Sequence, residues 1–185
     1  MSHVIGISGS LRAQSFNSAL LRAAVALSPP EMKIEIASLE SIPLYNGDVE
    51  SAGIPAAVTD LKNRIAVADG LLIATPEYNN SIPGVVKNAI DWLSRPPADI
   101  PKVFAGRCVT LMGASDGAFG TALSQAAWLP ILRTLQTHPW FGPRILIPHA
   151  SKVFDERGEL IDAKIREKLK SFLLGFSAFV ARGRA

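Results

Sequence analysis

Residues 3–17 read HVIGISGSLRAQSFN. An apolar run from His3 to Ile7 breaks at Ser8-Gly9-Ser10, and a helical pattern begins near Ser18. Leu20, Leu21, Ala24 and Leu27 then share one face over residues 17–28. A short apolar strand that passes through a Gly/Ser turn directly into an amphipathic helix is the first half of a strand–helix–strand unit. The question is whether the rest of the chain repeats it.

It does. Strand-like segments recur at Val4–Ser8, Met32–Ala37, Gly70–Thr75, Arg107–Met112 and Arg144–Ile147. Most are apolar on both faces and rich in Val, Ile and Leu, as strands covered by helices on each side must be. Helical patterns lie between and after them. Residues 55–68 carry Val58, Leu61, Ile65 and Ala68 on one face, and residues 83–94 carry Val86, Ala89, Ile90 and Leu93. Residues 121–137 form a longer pattern with Pro130 inside, where a kink is expected. Residues 162–181 close the chain with Ile165, Leu169, Phe172, Leu173, Phe176 and Phe179. Alternating strands and helices specify parallel neighbours, because parallel strands need crossover connections. The expected fold is α/β: a three-layer, flavodoxin-like fold with a five-stranded parallel sheet, one domain over residues 1–185. Residues 39–54 and 95–105 read as less regular connections.

Composition narrows the function. Among 185 residues, 48% are apolar and 19% charged, an ordinary globular mixture. A single cysteine, Cys108, excludes an internal disulfide and any multi-cysteine metal centre. The formal charge of +3 is not gathered into a basic block with interleaved aromatics, which argues against nucleic acid and suits small anions. No apolar run of about 18 residues and no signal-peptide pattern is visible, so a soluble cytoplasmic protein without a membrane partner is expected.

In open α/β sheets, ligands bind beyond the carboxyl ends of the strands, where strand order reverses. The loops after the first, third and fourth strands therefore carry the chemistry. In the first, "GSLRAQSFN" (residues 9–17) sets Ser10, Arg12, Ser15 and Asn17 around a turn that ends in a helix N-terminus. Backbone N–H groups and the helix dipole converge there, Ser and Asn add neutral donors, and Arg12 adds a forked cationic one. This reads as a phosphate site. The plainer alternative is that Ser15 or Asn17 only caps the helix. The loop has neither G-x-x-x-x-G-K-[ST] nor G-x-G-x-x-G, and Ser10 stands where a nucleophile elbow needs glycine. The phosphate of a mononucleotide is the reading that remains.

In the second loop, "PEYNNSIPGVVKNAIDW" (residues 76–92) has Pro76 and Pro83 stiffening both ends. A flat heterocycle could lie against Pro76 and Tyr78 while backbone N–H groups and Asn79 bond its polar edge. Together the two segments resemble the NAD(P)H-dependent FMN reductase family, which includes quinone, azo-dye and chromate reductases. The similarity continues through "GASDG" (113–117) and "FDERGEL" (154–160).

The resemblance implies FMN as bound cofactor and NADPH or NADH as co-substrate. It places Ser10, Leu11, Arg12, Ser15, Phe16 and Asn17 at the FMN phosphate end, Pro76, Glu77, Tyr78 and Asn79 along the isoalloxazine ring, and Ser115 at the pyrimidine end or ribityl chain. Electrons would pass from NAD(P)H through FMN to a quinone or a similar small acceptor, with no catalytic side chain and no metal. A homodimer or homotetramer is implied. The chain departs from the family pattern at Gly120-Thr121-Ala122-Leu123-Ser124-Gln125, which bears on oligomer contacts or the nicotinamide pocket rather than on the cofactor. Glu77 is expected to hydrogen-bond or to meet a second subunit rather than to act as acid or base, and Asp91 to be structural. Cys108, Trp92, Trp128 and Trp140 are expected to pack. A flavodoxin-type electron carrier or regulatory flavoprotein is the alternative, and the basic charge balance argues against the carrier. A phosphoryl-accepting receiver domain lacks its acidic residues at the strand ends Ser8-Gly9-Ser10 and Ala74-Thr75-Pro76.

Overall fold

A computed structural model describes residues 1–183. In chain order the elements are β1 (Ser2–Ser8), α1 (Phe16–Ala26), β2 (Met32–Ala37), α2 (Gly47–Ala52), α3 (Ala56–Val67), β3 (Gly70–Ala74), α4 (Gly84–Leu93), α5 (Ile100–Val103), β4 (Cys108–Ala114), α6 (Ala122–Thr134), β5 (His138–Pro139), β6 (Ile145–Ile147) and α7 (Ala163–Gly183).

The strands pair in parallel in the order β2-β1-β3-β4-β5, with β6 also on β4. Side chains alternate between the two faces, so each strand feeds two cores. Val4, Leu72, Ala74 and Met112 join α1 and α7 in one core; Ile5, Ile7, Leu71, Ile73 and Val109 join α3, α4 and α6 in the other. The three-layer, flavodoxin-like α/β reading holds.

The five expected strand positions are present, and the last of them is divided at the sheet edge. The fifth position is filled twice: β5 pairs with Cys108 and Val109, and β6 pairs with Met112 to Ala114. Trp140–Arg144, with Gly142 and Pro143, interrupts them, and a two-residue strand has no periodicity to read. Two connections also hold short helices. In residues 39–54, α2 is capped by the Asn46 side chain, which accepts from the Asp48 N–H, and it buries no residue. In residues 95–105, α5 follows a short 3₁₀ turn. The helix expected to reach residue 137 stops at Thr134, where the chain turns through a left-handed Gln136 at φ 56°. It is continuous through Pro130, which lies on its exposed side.

Strand order reverses around β1: the chain goes from β1 out to β2, then crosses back to β3 on its other side. The carboxyl ends of β1, β3 and β4 are therefore adjacent, and the three loops singled out above meet there.

Candidate functional site

The first loop is held close to the third strand. The Gly9 N–H donates to the Ala74 carbonyl at 2.8 Å. A Cβ on Gly9 would stand 2.8 Å from Pro76 Cδ, so only glycine allows this approach. Ser10 is 9% exposed, and its Oγ accepts from the Arg12 N–H at 3.3 Å. Ser15, 3% exposed, caps α1 by accepting from the Ser18 N–H at 3.3 Å. The first helical N–H groups, of Phe16 and Asn17, have no intrahelical acceptor, as at any helix start. Leu11 and Arg12 are exposed, and the Arg12 guanidinium lies 5.3 Å from the Phe16 ring centroid. Among the described residues Arg12 has no carboxylate partner.

Asn17, expected as a phosphate donor, also has partners within the fold. Its side chain lines the cleft but is turned to β4: Nδ2 donates to the Ala114 carbonyl at 2.8 Å, and Oδ1 accepts from the Ala114 N–H at 3.0 Å. Both bonds are buried. They fasten the start of α1 to the end of β4, fixing the spacing between the first and fourth loops.

The third-strand loop is a tight hairpin. Tyr78 and Ser81 exchange backbone hydrogen bonds at 3.1 and 3.0 Å, and the two residues between them, Asn79 and Asn80, have φ of 49° and 62°. Two left-handed residues in a two-residue connection make a type I′ turn, a conformation asparagine tolerates. Asn79 thus shapes the loop through its backbone, and its side chain is exposed. Tyr78 is half exposed, with its hydroxyl 3.5 Å from Ser10 Oγ. Pro76 is buried. Glu77 points away from the hairpin: its Oε2 accepts from the N–H groups of Leu123 at 2.8 Å and Ser124 at 3.0 Å. The carboxylate caps α6, so Glu77 is a hydrogen-bonding residue as expected, and its partner is the segment that departs from the family pattern.

That segment is bonded to the end of β3 and to β6. Thr75 Oγ1 and Ser124 Oγ lie 2.9 Å apart, and Trp128 Nε1 donates to Thr75 Oγ1 at 3.2 Å. Gln125 Nε2 donates to Thr121 Oγ1 and to the Ile145 carbonyl. Gly113 lets this packing close, since a Cβ there would fall 2.4 Å from the Thr75 carbonyl. In the fourth loop, Ser115 Oγ accepts from the Gly117 N–H at 3.0 Å, and Asp116 Oδ1 accepts from the Ser151 N–H at 2.8 Å. Asp91 lies on α4 and pairs with Lys87 at 2.7 Å, away from the cleft.

The result is a cleft of about 320 Å³ bounded by Ser10, Arg12, Ser15, Phe16, Asn17, Pro76, Glu77, Tyr78, Ala114, Ser115 and Asp116. Ala114 and Asp116 are additions to the sequence-based set. Asp116 sits inside the "GASDG" motif, while Ala114 has no chemical side chain to mark it. A cation without a carboxylate partner among the described residues, helix N–H groups and hydroxyls share this cleft with an apolar proline and a tyrosine. This donor set fits a phosphate joined to a flat ring. Among the described residues no group of three or more His, Cys, Asp or Glu side chains could hold a metal ion, and no helix is long and apolar enough to cross a membrane.

Fold and structural likeness together define the class: a flavodoxin-like oxidoreductase scaffold, here with a cleft at the carboxyl ends of its parallel sheet. The sequence profile of the NADPH-dependent FMN reductases matches residues 2–152, and the chain belongs to that family. It is 48% identical over 181 residues to an NAD(P)H-dependent FMN reductase of Pseudomonas aeruginosa, covering 98% of this chain and 96% of that one. It is 39% identical over 182 residues to a quinone reductase of Escherichia coli strain K12, covering 97% and 95%. Among solved structures, the flavoenzyme NAD(P)H:(acceptor) oxidoreductase FerB from Paracoccus denitrificans superposes with a TM-score of 0.89 at 31% identity, over 99% of both chains.

Proposed function

We propose that this protein binds FMN in the three-loop cleft and transfers electrons from NAD(P)H to quinones or similar small acceptors. The observation that carries the reading is Arg12: an exposed guanidinium with no carboxylate partner among the described residues, beside the open N-terminus of α1 and across from the Pro76–Ser81 hairpin. Membership of the FMN reductase family supports it. In this reading Arg12, Ser10, Ser15 and the Phe16 and Asn17 N–H groups hold the phosphate, with Leu11 at the rim. Pro76 and Tyr78 border the ring, the hairpin holds backbone donors against its edge, and Ser115 meets the pyrimidine end or ribityl chain. Asn17 and Glu77 serve by fixing the loops.

The cofactor supplies the redox chemistry, and the protein supplies orientation and electrostatics. Taken over a full cycle, NAD(P)H and a proton reduce one quinone to its hydroquinone and leave NAD(P)⁺. The chain's own contribution is preorganised backbone dipoles from residues 76–79 and 113–117, which favour negative charge at the ring edge. We read the assembly as a homodimer or homotetramer. Support comes from the 43–50 segment, which Asn88 and Trp92 hold through the Pro43 carbonyl while Leu44 and Val49 stay exposed. A cytoplasmic location accords with a lone, unpaired and buried Cys108.

FMN titration of the wild type and of Arg12→Ala tests the site. A charge-assisted bond to phosphate contributes about 1.5–3 kcal/mol, so affinity should fall by roughly ten- to a hundredfold. An unchanged Kd overturns the assignment. Turnover of NADPH with a quinone by the purified protein alone separates a reductase from an electron carrier.

A further inference from the structure

Beside the cofactor cleft lies a second one, of about 280 Å³, between α1 and the segment 151–158. Three arginines line it: Arg12, Arg22 and Arg157. Other basic side chains are paired with acids, as Arg64 is with Glu35 and Arg95 with Glu50, yet none of these three arginines has a carboxylate partner among the described residues. Two acids stand at the same cleft. Asp155 is bound into its own turn, its Oδ1 accepting from the N–H groups of Arg157 at 2.9 Å and Glu159 at 2.8 Å. Glu156 is exposed at the rim.

Two further features make this a shaped recess rather than scattered surface charge. Gly158 turns the chain at φ +77° and lies against the Arg22 guanidinium, whose Nη2 is 2.8 Å from where a Cβ would stand. Phe16 and Phe154 stack with ring centroids 5.9 Å apart and planes inclined by 24°, forming an apolar wall. The recess is continuous with the cofactor cleft, since Arg12, Ser15 and Phe16 line both.

We infer that this recess receives the adenosine end of the dinucleotide co-substrate, with Arg22 and Arg157 on its 2′-phosphate, and that the chain therefore discriminates NADPH from NADH. The inference rests on the proposed flavin reductase reading and specifies its co-substrate site. A phosphate monoester offers three acceptor oxygens and close to two negative charges, which forked guanidinium groups bind side by side. NADH presents a neutral hydroxyl at the same position and gains nothing from either arginine. Arg12, shared between the clefts, belongs to the flavin phosphate and is left out of the test.

The FMN-loaded wild type, Arg22→Ala and Arg157→Ala are titrated calorimetrically with 2′,5′-ADP and with 5′-ADP, and their NADPH and NADH turnover is measured in parallel. Wild type should bind 2′,5′-ADP more tightly than 5′-ADP. Each variant should lose roughly tenfold or more in 2′,5′-ADP affinity and raise KM for NADPH alike, with kcat, 5′-ADP binding and NADH kinetics unchanged. Arg157→Lys should recover part of the loss. Equal binding of the two nucleotides by wild type, or parallel losses for NADPH and NADH in the variants, overturns the inference while leaving the flavin site standing. A wild type that fails to retain FMN, or that retains it and oxidises neither dinucleotide, overturns the underlying reading as well.

Discussion

Asn17 and Ala114 are 97 residues apart in sequence and exchange two buried hydrogen bonds, of 2.8 and 3.0 Å. One side-chain amide satisfies both backbone groups of a single residue, so the α1 start and the β4 end keep a fixed separation.

Asn17→Ala would leave the Ala114 N–H and carbonyl buried and unpaired. Each orphaned group costs about 1–3 kcal/mol, so the variant should lose about 2–6 kcal/mol in urea unfolding. FMN affinity should fall with it. Asn17→Asp should also destabilise, because a carboxylate accepts from the N–H but faces the carbonyl without a proton. A stability within experimental error of wild type would show that the clamp is not structural.

Glu77 acts on α6 through two backbone N–H groups at that helix's N-terminus. Glu77→Ala should cost about 1 kcal/mol, in the range of a lost helix cap. Glu77→Gln keeps an acceptor oxygen and should lose about 0.3–1 kcal/mol through the charge on the helix dipole. Because the carboxylate is committed to these donors, the pH profile of kcat should be the same for Glu77→Gln as for wild type. Loss of one limb of that profile would instead assign Glu77 a proton transfer.

The hairpin at Asn79-Asn80 depends on two left-handed residues. Asn80→Gly should be neutral in thermal unfolding. Asn80→Val should destabilise the turn by about 1–2 kcal/mol, because a β-carbon branch clashes with the following carbonyl at positive φ. If the turn orders the ring end of the cleft, the valine variant also weakens FMN binding and the glycine variant does not. Equal FMN affinity in both would separate the hairpin from the cofactor.

Glu35, on β2, bonds Arg64 Nε at 2.9 Å and His3 Nε2 at 2.8 Å. Its carboxyl is held below the ordinary carboxylate range, first by Arg64 and then by His3. A carboxyl depressed in the folded state gives stability that is fully present above its unfolded pKa and lost as pH falls through its folded pKa. Urea midpoints measured downward from neutral pH should therefore drop more steeply across the acidic range in wild type than in Glu35→Gln. Coincident pH slopes would show that the pair contributes nothing.

Much of the fold is legible in the sequence. The runs at 4–7, 70–74 and 108–112 are mostly apolar on both faces, and that alone demands helices above and below a parallel sheet. The split fifth position is not legible, because His138-Pro139 is too short for a pattern and the expected strand at 144–147 accounts for only half of that sheet position. Nor is α2, whose Gly47–Ala52 segment has no apolar stripe and is held by a cap instead of a core.

At the site, the residue types converging on the cleft are legible, since Ser, Arg, Asn and Pro in strand-to-helix turns point to anion and ring binding wherever those turns meet. What their side chains bond to is not. Asn17 reaches residue 114, and Glu77 reaches residues 123 and 124. Contacts across such distances in sequence follow from topology and register, which a local pattern does not contain. Asn79-Asn80 is the exception: two asparagines in a short loop are a type I′ signal available in sequence. Cys108 packs in the core as its strand pattern implies, and burial there pushes its thiol up despite the opposing pull of Arg107.

The most direct test of flavin reduction at the three-loop cleft is the visible spectrum of the protein incubated with FMN, desalted, and then mixed with NADPH without oxygen. The flavin bands should survive desalting, bleach on adding NADPH, and return when a quinone is admitted. A protein that emerges colourless would contradict the assignment of the Ser10–Asn17 and Pro76–Asn79 loops to FMN, and bands that persist under NADPH would contradict the reductase.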